Sequence, residues 1–219
     1  MVKFFIFLFA FSSLHAAVIQ FKPSQIPVQS DIASGNSAFN GAREMAPFFE
    51  MLKKVYQITT VIETGTYQGG TTAFFARTFD EVHTIDISPT FLTQSKENLS
   101  SLSNIQFHLG SSEKILTQIL PALKDRFVLF YLDAHWKKYW PLLDEIEEIN
   151  KTHHQRCIIV IDDIKVPGRA DIPYDAYKKH ECSFEYVKAK IEKTFDNYTT
   201  LYLLPAHVNS RAKLVIIPN

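Results

Sequence analysis

Two spacings of apolar residues run through this chain. Met45, Phe48, Phe49, Leu52 and Val55 recur at i, i+3, i+4, i+7 and i+10, which predicts one face of a helix of about four turns. Beyond it, short apolar runs alternate with helical patterns. "TTVIETG" reads as a strand running into a Gly turn and "GTTAFFARTF" as a helix. "EVHTIDIS" reads as a strand, "PTFLTQSKENLSSL" as a helix with Pro89 in its first turn, and "NIQFHLG" as a third strand. "SSEKILTQILPAL" opens on a helix-start signature and is ended or bent at Pro121. "RFVLFYLD", "YWPLLDEIEEINK" and "RCIIVIDD" read as strand, amphipathic helix and strand. The unbroken apolar runs "FVLFYL" and "CIIVI" suit strands covered on both faces. "FEYVKAKIEKTF" then predicts a helix, and "TTLYLLP" and "AKLVIIP" two more strands.

Strand–helix alternation implies right-handed crossovers and a parallel sheet. Only seven residues separate "LLP" from "KLV", too few for a parallel crossover, so the last pair is antiparallel. The expected fold is α/β, a doubly wound Rossmann-like sheet. It has five parallel strands plus a C-terminal antiparallel hairpin, seven strands in all, with helices on both faces. Residues 41–219 make one domain, and 18–40, polar with two Pro and one Gly, make an irregular lead-in.

The first 17 residues change this picture. One Lys precedes an apolar run from Phe4 to Phe11 and small residues follow, the layout of a secretory signal peptide. The run is short for a bilayer span, so no membrane span is expected in the mature chain. Cutting after Ala16 or Ala17 puts Leu14 or His15 where a small residue is preferred. The alternative is therefore an uncleaved anchor or a packed N-terminal strand. Cleavage near Ala17 implies export, periplasmic or secreted; retention implies a membrane-anchored or cytoplasmic chain. Lys+Arg and Asp+Glu both number 23, so the basic excess of a nucleic-acid partner is missing. Cys157 enters the fifth strand and Cys182 follows its far end. That strand spans roughly 16 Å at about 3.3 Å per residue. A disulfide needs Cα atoms within about 7 Å, so free thiols are expected.

Ligands of doubly wound sheets bind at the carboxyl ends of the strands. Those ends carry Glu63 through Gly70, Asp86, Gly110-Ser111-Ser112, Asp133-Ala134-His135-Trp136-Lys137 and Asp162-Asp163. Helix capping explains one or two such positions, but not five with an acidic pair among them. Gly65, Gly69 and Gly70 allow a ligand to approach backbone N–H groups, or simply make a turn. Asp86 suits a ribose diol. Ser111 and Ser112 suit an adenine edge or a helix cap. Asp133, Asp162 and Asp163, on two strands expected to be neighbours, suit Mg²⁺. His135 reads as a packing or locally hydrogen-bonded residue.

With these residues in place, the chain resembles class I S-adenosylmethionine-dependent methyltransferases over about residues 40–219. "ETGTYQGG" resembles their acidic Gly-rich motif, "TIDIS" the ribose-binding loop and "GSS" the adenine-side loop. "LDAHWK" and "IDDIKVPG" are similar to the metal-dependent catechol O-methyltransferase-like group, and the acidic layout also to macrolide and sugar O-methyltransferases. The resemblance implies that Glu63 and Gly65 hold the methionine end, Asp86 the ribose, and Trp136 packs at the adenine. Thr66, Tyr67, Gly69, Gly70, Thr71, Ser111, Ser112 and Asp133 complete the cofactor site. Asp133, Asp162 and Asp163 become metal ligands and Lys137 the general base. Ala134 is an extra residue between Asp and His-Trp-Lys, which leaves the register open between Lys137 and Lys138. Asp163 stands where the group has Asn. Residues Arg169 to Cys182 are expected to form an acceptor lid. The implied activity is metal-assisted methylation of a small-molecule or sugar hydroxyl. Two other readings compete: a non-catalytic exported binding protein keeping the fold, and a nicotinamide-dependent oxidoreductase. The oxidoreductase is weakened because "ETGTYQGG" lacks GxGxxG spacing.

Overall fold

The apolar runs form the middle of one mixed sheet. The structure, a computed structural model, describes residues 6–7, 16–20, 37–135, 139–206 and 210–219. Its strands are β1 (Ile6–Phe7), β2 (Ala16–Gln20), β3 (Thr60–Thr64), β4 (Glu81–Asp86), β5 (Ile105–Leu109) and β6 (Val128–Leu132). They continue with β7 (Cys157–Ile164), β8 (Ala176–Tyr177), β9 (His180–Glu181), β10 (Tyr198–Leu204) and β11 (Ala212–Pro218). The helices are α1 (Ala46–Tyr56), α2 (Gly70–Thr78), α3 (Pro89–Asn98), α4 (Ser112–Leu123), α5 (Leu142–His153) and α6 (Phe184–Thr194). Nine strands lie in the order β1-β2-β10-β11-β7-β6-β3-β4-β5, and β8–β9 form a separate hairpin. The five strands β7, β6, β3, β4 and β5 are parallel. β11 runs antiparallel to β7, and β10 antiparallel to β11.

Successive residues of β6 feed opposite layers, as pleating requires. Val128, Phe130 and Leu132 pack with Leu116, Ile146 and Ile191 of α4, α5 and α6. Leu129 and Tyr131 pack with Phe48, Phe49 and Phe75 of α1 and α2. The chain leaves β3 toward β4 and β5, then crosses to β6 on the other side. The switch point therefore lies between the carboxyl ends of β3 and β6.

Three expectations change, two of them at the N-terminal end. The sheet gains two strands, because Ala16–Gln20 pairs in parallel with Thr200–Leu204 and Ile6–Phe7 pairs with Ile19 and Val18. Ala16–Gln20 thus completes the ladder of β10, whose outer edge has backbone groups to satisfy, and residues of the apolar run pair with β2 in turn. A cut after Ala16 would leave Ala17–Gln20 in that ladder. The end of the lead-in is also ordered. Phe39 is buried and stacks on Phe49, ring centroids 4.7 Å apart. Pro121 neither ends nor precedes the end of α4 by much: it lies inside the helix, which closes at Leu123. No helix among the described residues is long and apolar enough to cross a membrane. Cys157 and Cys182 are both free and buried, as the strand layout predicts.

Candidate functional site

The turn after β3 is set by close packing. A Cβ on Gly65 would lie 2.7 Å from the Asp133 carbonyl oxygen, and its φ is +89°. Only glycine fits there, and it lets the ends of β3 and β6 touch. The missing side chain at Gly69 is likewise filled by Leu99 and Ser95 of the α3 region. Gly70 is the buried first residue of α2. The glycines therefore bring protein elements together rather than open a cradle for a phosphate.

Several predicted cofactor residues turn inward. Glu63 is buried and accepts from Thr72 Oγ1 at 2.5 Å and Thr84 Oγ1 at 2.7 Å. Burial raises its pKa to about 7 against those two bonds. Thr66 Oγ1 meets Thr84 Oγ1 at 2.7 Å, and Thr71 Oγ1 accepts from the Phe39 N–H at 3.0 Å. Ser111 donates to Glu113 Oε2 at 2.5 Å. None of these lines the cleft described next.

A cleft of about 530 Å³ runs along the switch point. Of the predicted residues, Gly65, Tyr67, Asp86, Ser112, Asp133 and Asp163 line it. Asn40, Ile87, Ser88, Phe91, His135 and Arg211 join them. Asp86 stands at one end. Its Oδ2 accepts from the Tyr67 N–H and its Oδ1 from the Ser88 N–H, each at 2.8 Å. Each oxygen keeps a lone pair for a further donor. Tyr67 packs edge-on against Phe91 at 4.7 Å, giving that end an apolar wall.

The acidic end is built on a bulge. Ala212 pairs with Ile164 and Leu214 with Ile161, so Lys213 alone faces Asp162 and Asp163. The bulge sends the two carboxylates different ways. Asp162 is buried, accepting from Lys213 Nζ at 2.6 Å and Tyr131 Oη at 2.5 Å. Asp162, expected as a metal ligand, has its charge matched by Lys213. Asp163 has φ +56° and turns to the cleft. Its Oδ2 accepts from Arg211 Nη1, which also donates to Asp175 Oδ1. Its Oδ1 is buried without a partner among the described residues. Donor atoms of Asp133, His135 and Asp163 lie within 4.8 Å of one another. An orphaned buried oxygen beside a second carboxylate and an imidazole is a donor set that fits a divalent cation. His135 replaces Asp162 in that set. Burial, then the charges of Asp162 and Asp163, hold the Asp133 carboxyl well above its usual range. Burial and Asp162 raise Asp163 to about 7.

Sequence reading missed Glu145, in the first turn of α5. It is fully buried, and it lines a small cavity beside Asp133 and Cys182. Neither carboxylate oxygen has a hydrogen-bond partner among the described residues; Ser112 and Thr64 approach without bonding geometry. Burial raises Glu145 to about 7. Arg211 was also missed, although "RAK" at a strand start puts Arg211 and Lys213 on one face. Trp136, Lys137 and Lys138 lie outside the described residues.

No family model matches the chain, and no curated protein matches it in sequence. Solved structures do match its fold. An O-methyltransferase from Bacillus cereus in complex with SAH is 15% identical over 88% of this chain and 93% of its own, with a TM-score of 0.61. TomG from Streptomyces achromogenes, an O-methyltransferase involved in tomaymycin synthesis and solved with SAM, is 17% identical over 80% of both chains, TM-score 0.56. Precorrin 8W decarboxylase from Methanobacterium thermoautotrophicum matches equally well, 15% identical over 87% and 98%, TM-score 0.56. The fold is thus the Rossmann-like fold of class I methyltransferases, and it is shared by proteins named for other chemistry.

Proposed function

We propose that this chain transfers a methyl group from S-adenosylmethionine to a hydroxyl of a small-molecule or sugar acceptor, assisted by a divalent cation. The observation that carries the reading is one cleft at the sheet's switch point with Asp86 at one end and Asp133, His135 and Asp163 at the other. Asp86 would hold the ribose hydroxyls through its remaining lone pairs. Gly65 and Tyr67 would bound the methionine side, with Ile87, Phe91 and Ser112 toward the base. Asp133, His135 and Asp163 would hold the cation. When bound, the cofactors supply an electrophilic methyl and a charge that acidifies the acceptor hydroxyl. Two carboxylates and an imidazole suit Mn²⁺ and its transition-series neighbours at least as well as Mg²⁺. His135 Nε2 lies 3.5 Å from Asp175 Oδ2, and an imidazole engaged by the cation would leave the acceptor's proton to another base. Lys137 and Lys138, two and three residues on, remain candidates for that base. A nicotinamide dinucleotide is disfavoured because "ETGTYQGG" lacks the GxGxxG spacing of its phosphate-binding turn.

The test is S-adenosylhomocysteine release with a panel of catechol, phenolic and sugar hydroxyl acceptors, in chelator, Mg²⁺ or Mn²⁺. Product in the presence of a cation only is expected; no product with any acceptor would favour a binding protein keeping the fold. We also propose export, on the Phe4–Phe11 pattern. N-terminal sequencing of native protein should begin near Ala17, and Met1 or Val2 would contradict it.

A further inference from the structure

The acidic end of the cleft already contains a cation. Arg211 immediately precedes β11, and its Nη1 bridges Asp163 Oδ2 and Asp175 Oδ1. Its situation contrasts with that of Lys213 two residues on. The Lys213–Asp162 pair is sealed, each side chain 1% exposed. Arg211 is 39% exposed and lines the cleft. Lys213 is therefore a fixed counter-ion, while Arg211 is partly open to the cleft.

The charges explain why that matters. With Asp162 matched by Lys213, three carboxylates gather at the acidic end: Asp133 and Asp163 on the cleft, and Asp175 in the adjoining small cavity. Arg211 bridges two of them. A divalent ion held by Asp133, His135 and Asp163 would sit on the same carboxylate that the guanidinium occupies. Two like charges on one buried carboxylate repel, and poor solvation strengthens the repulsion. The guanidinium holds Asp163 Oδ2 and leaves Oδ1 open, so an ion at Oδ1 would share the carboxylate with it at an electrostatic cost.

We infer that Arg211 is a built-in competitor for the divalent ion, its charge on Asp163 Oδ2 drawing on the same carboxylate that the ion would use through Oδ1. The inference rests on the cation site proposed above. It makes Arg211 a residue that lowers metal affinity while keeping the metal-free site neutralised.

Mn²⁺ binding, read as loss of the free-ion electron paramagnetic resonance signal, tests this. Arg211→Gln should bind Mn²⁺ at least tenfold more tightly than wild type. Arg211→Lys, which keeps the charge, should stay within about threefold of wild type. In thermal melts, Arg211→Gln without metal should fall below wild type and gain more from Mn²⁺. A measurement on the wild-type chain guards against a misfolded variant: titration with Mg²⁺ should shift an arginine side-chain ¹⁵N–H resonance, one missing from the Arg211→Lys spectrum. Equal Mn²⁺ affinity in all three proteins overturns the competition and leaves the cation site standing. No Mn²⁺ bound by any of them overturns both, and S-adenosylmethionine titration of the same samples shows whether the cofactor reading survives.

Discussion

Glu145 carries a clear consequence for stability. A carboxyl held at about 7 in the folded chain against an ordinary 4.5 favours the folded state only when protonated. Below pH 4.5 both states are protonated and there is no effect. As pH rises toward 7 the unfolded chain ionises first, so stability falls. Above 7 the loss is complete, on the order of 3 kcal/mol. Glu145→Gln removes this dependence. Its unfolding free energy relative to wild type should improve by that order between pH 4 and pH 8. Parallel urea curves with a constant difference would show that Glu145 has a partner in solution. Asp162 shows what sequence cannot reveal at this scale. Adjacent acidic residues look equivalent in "IDD", yet one is matched by Lys213 and the other faces the cleft. Which is which depends on a bulge, and a bulge is a property of two strands.

Among elements, the β7–β11 pairing holds the site. Asp162, Lys213 and Tyr131 latch the bulge that turns Asp163 outward. Lys213→Met leaves the Asp162 charge buried and unmatched, which typically costs about 3–5 kcal/mol. The double variant Lys213→Met with Asp162→Leu should recover much of it, since a buried pair replaced by apolar groups is often near neutral. Urea denaturation reads both. A loss below about 1 kcal/mol for Lys213→Met alone would mean that the pair does not hold the bulge. Most elements were legible because their patterns are local: the apolar runs of β6 and β7 and the helical stripes of α1 and α5 declare themselves. β1 and β2 were not, because "AAVIQ" reads as a cleavage region until the open edge of β10 is known. His135 was read as packing or locally hydrogen-bonded because a Mg²⁺ site rich in carboxylate oxygens has no need of an imidazole.

At the scale of the molecule, the sheet separates core from chemistry. Both thiols are buried, Cys157 in the core and Cys182 beside the acidic cavity, each raised above the ordinary thiol range chiefly by burial. Neither should react with a thiol reagent in native protein, and both should react in denaturant; fast native labelling would mean that the β7 region opens. The ligand-bearing loops gather at the carboxyl ends of the parallel strands, a consequence of topology that the strand order alone foretold. What topology did not foretell is that Asn40, from the lead-in, and Arg211, from the hairpin, close the same cleft. The central claim is that this cleft holds S-adenosylmethionine with Asp86 on its ribose. Calorimetric titration of S-adenosylmethionine and, separately, NAD into wild type and Asp86→Ala tests it most directly. Hydrogen bonds to a charged acceptor contribute about 1.5–3 kcal/mol, so affinity for S-adenosylmethionine should fall on the order of tenfold or more in the variant. Wild type should bind no NAD. Equal S-adenosylmethionine affinity in both proteins, or binding of NAD in its place, would contradict the account.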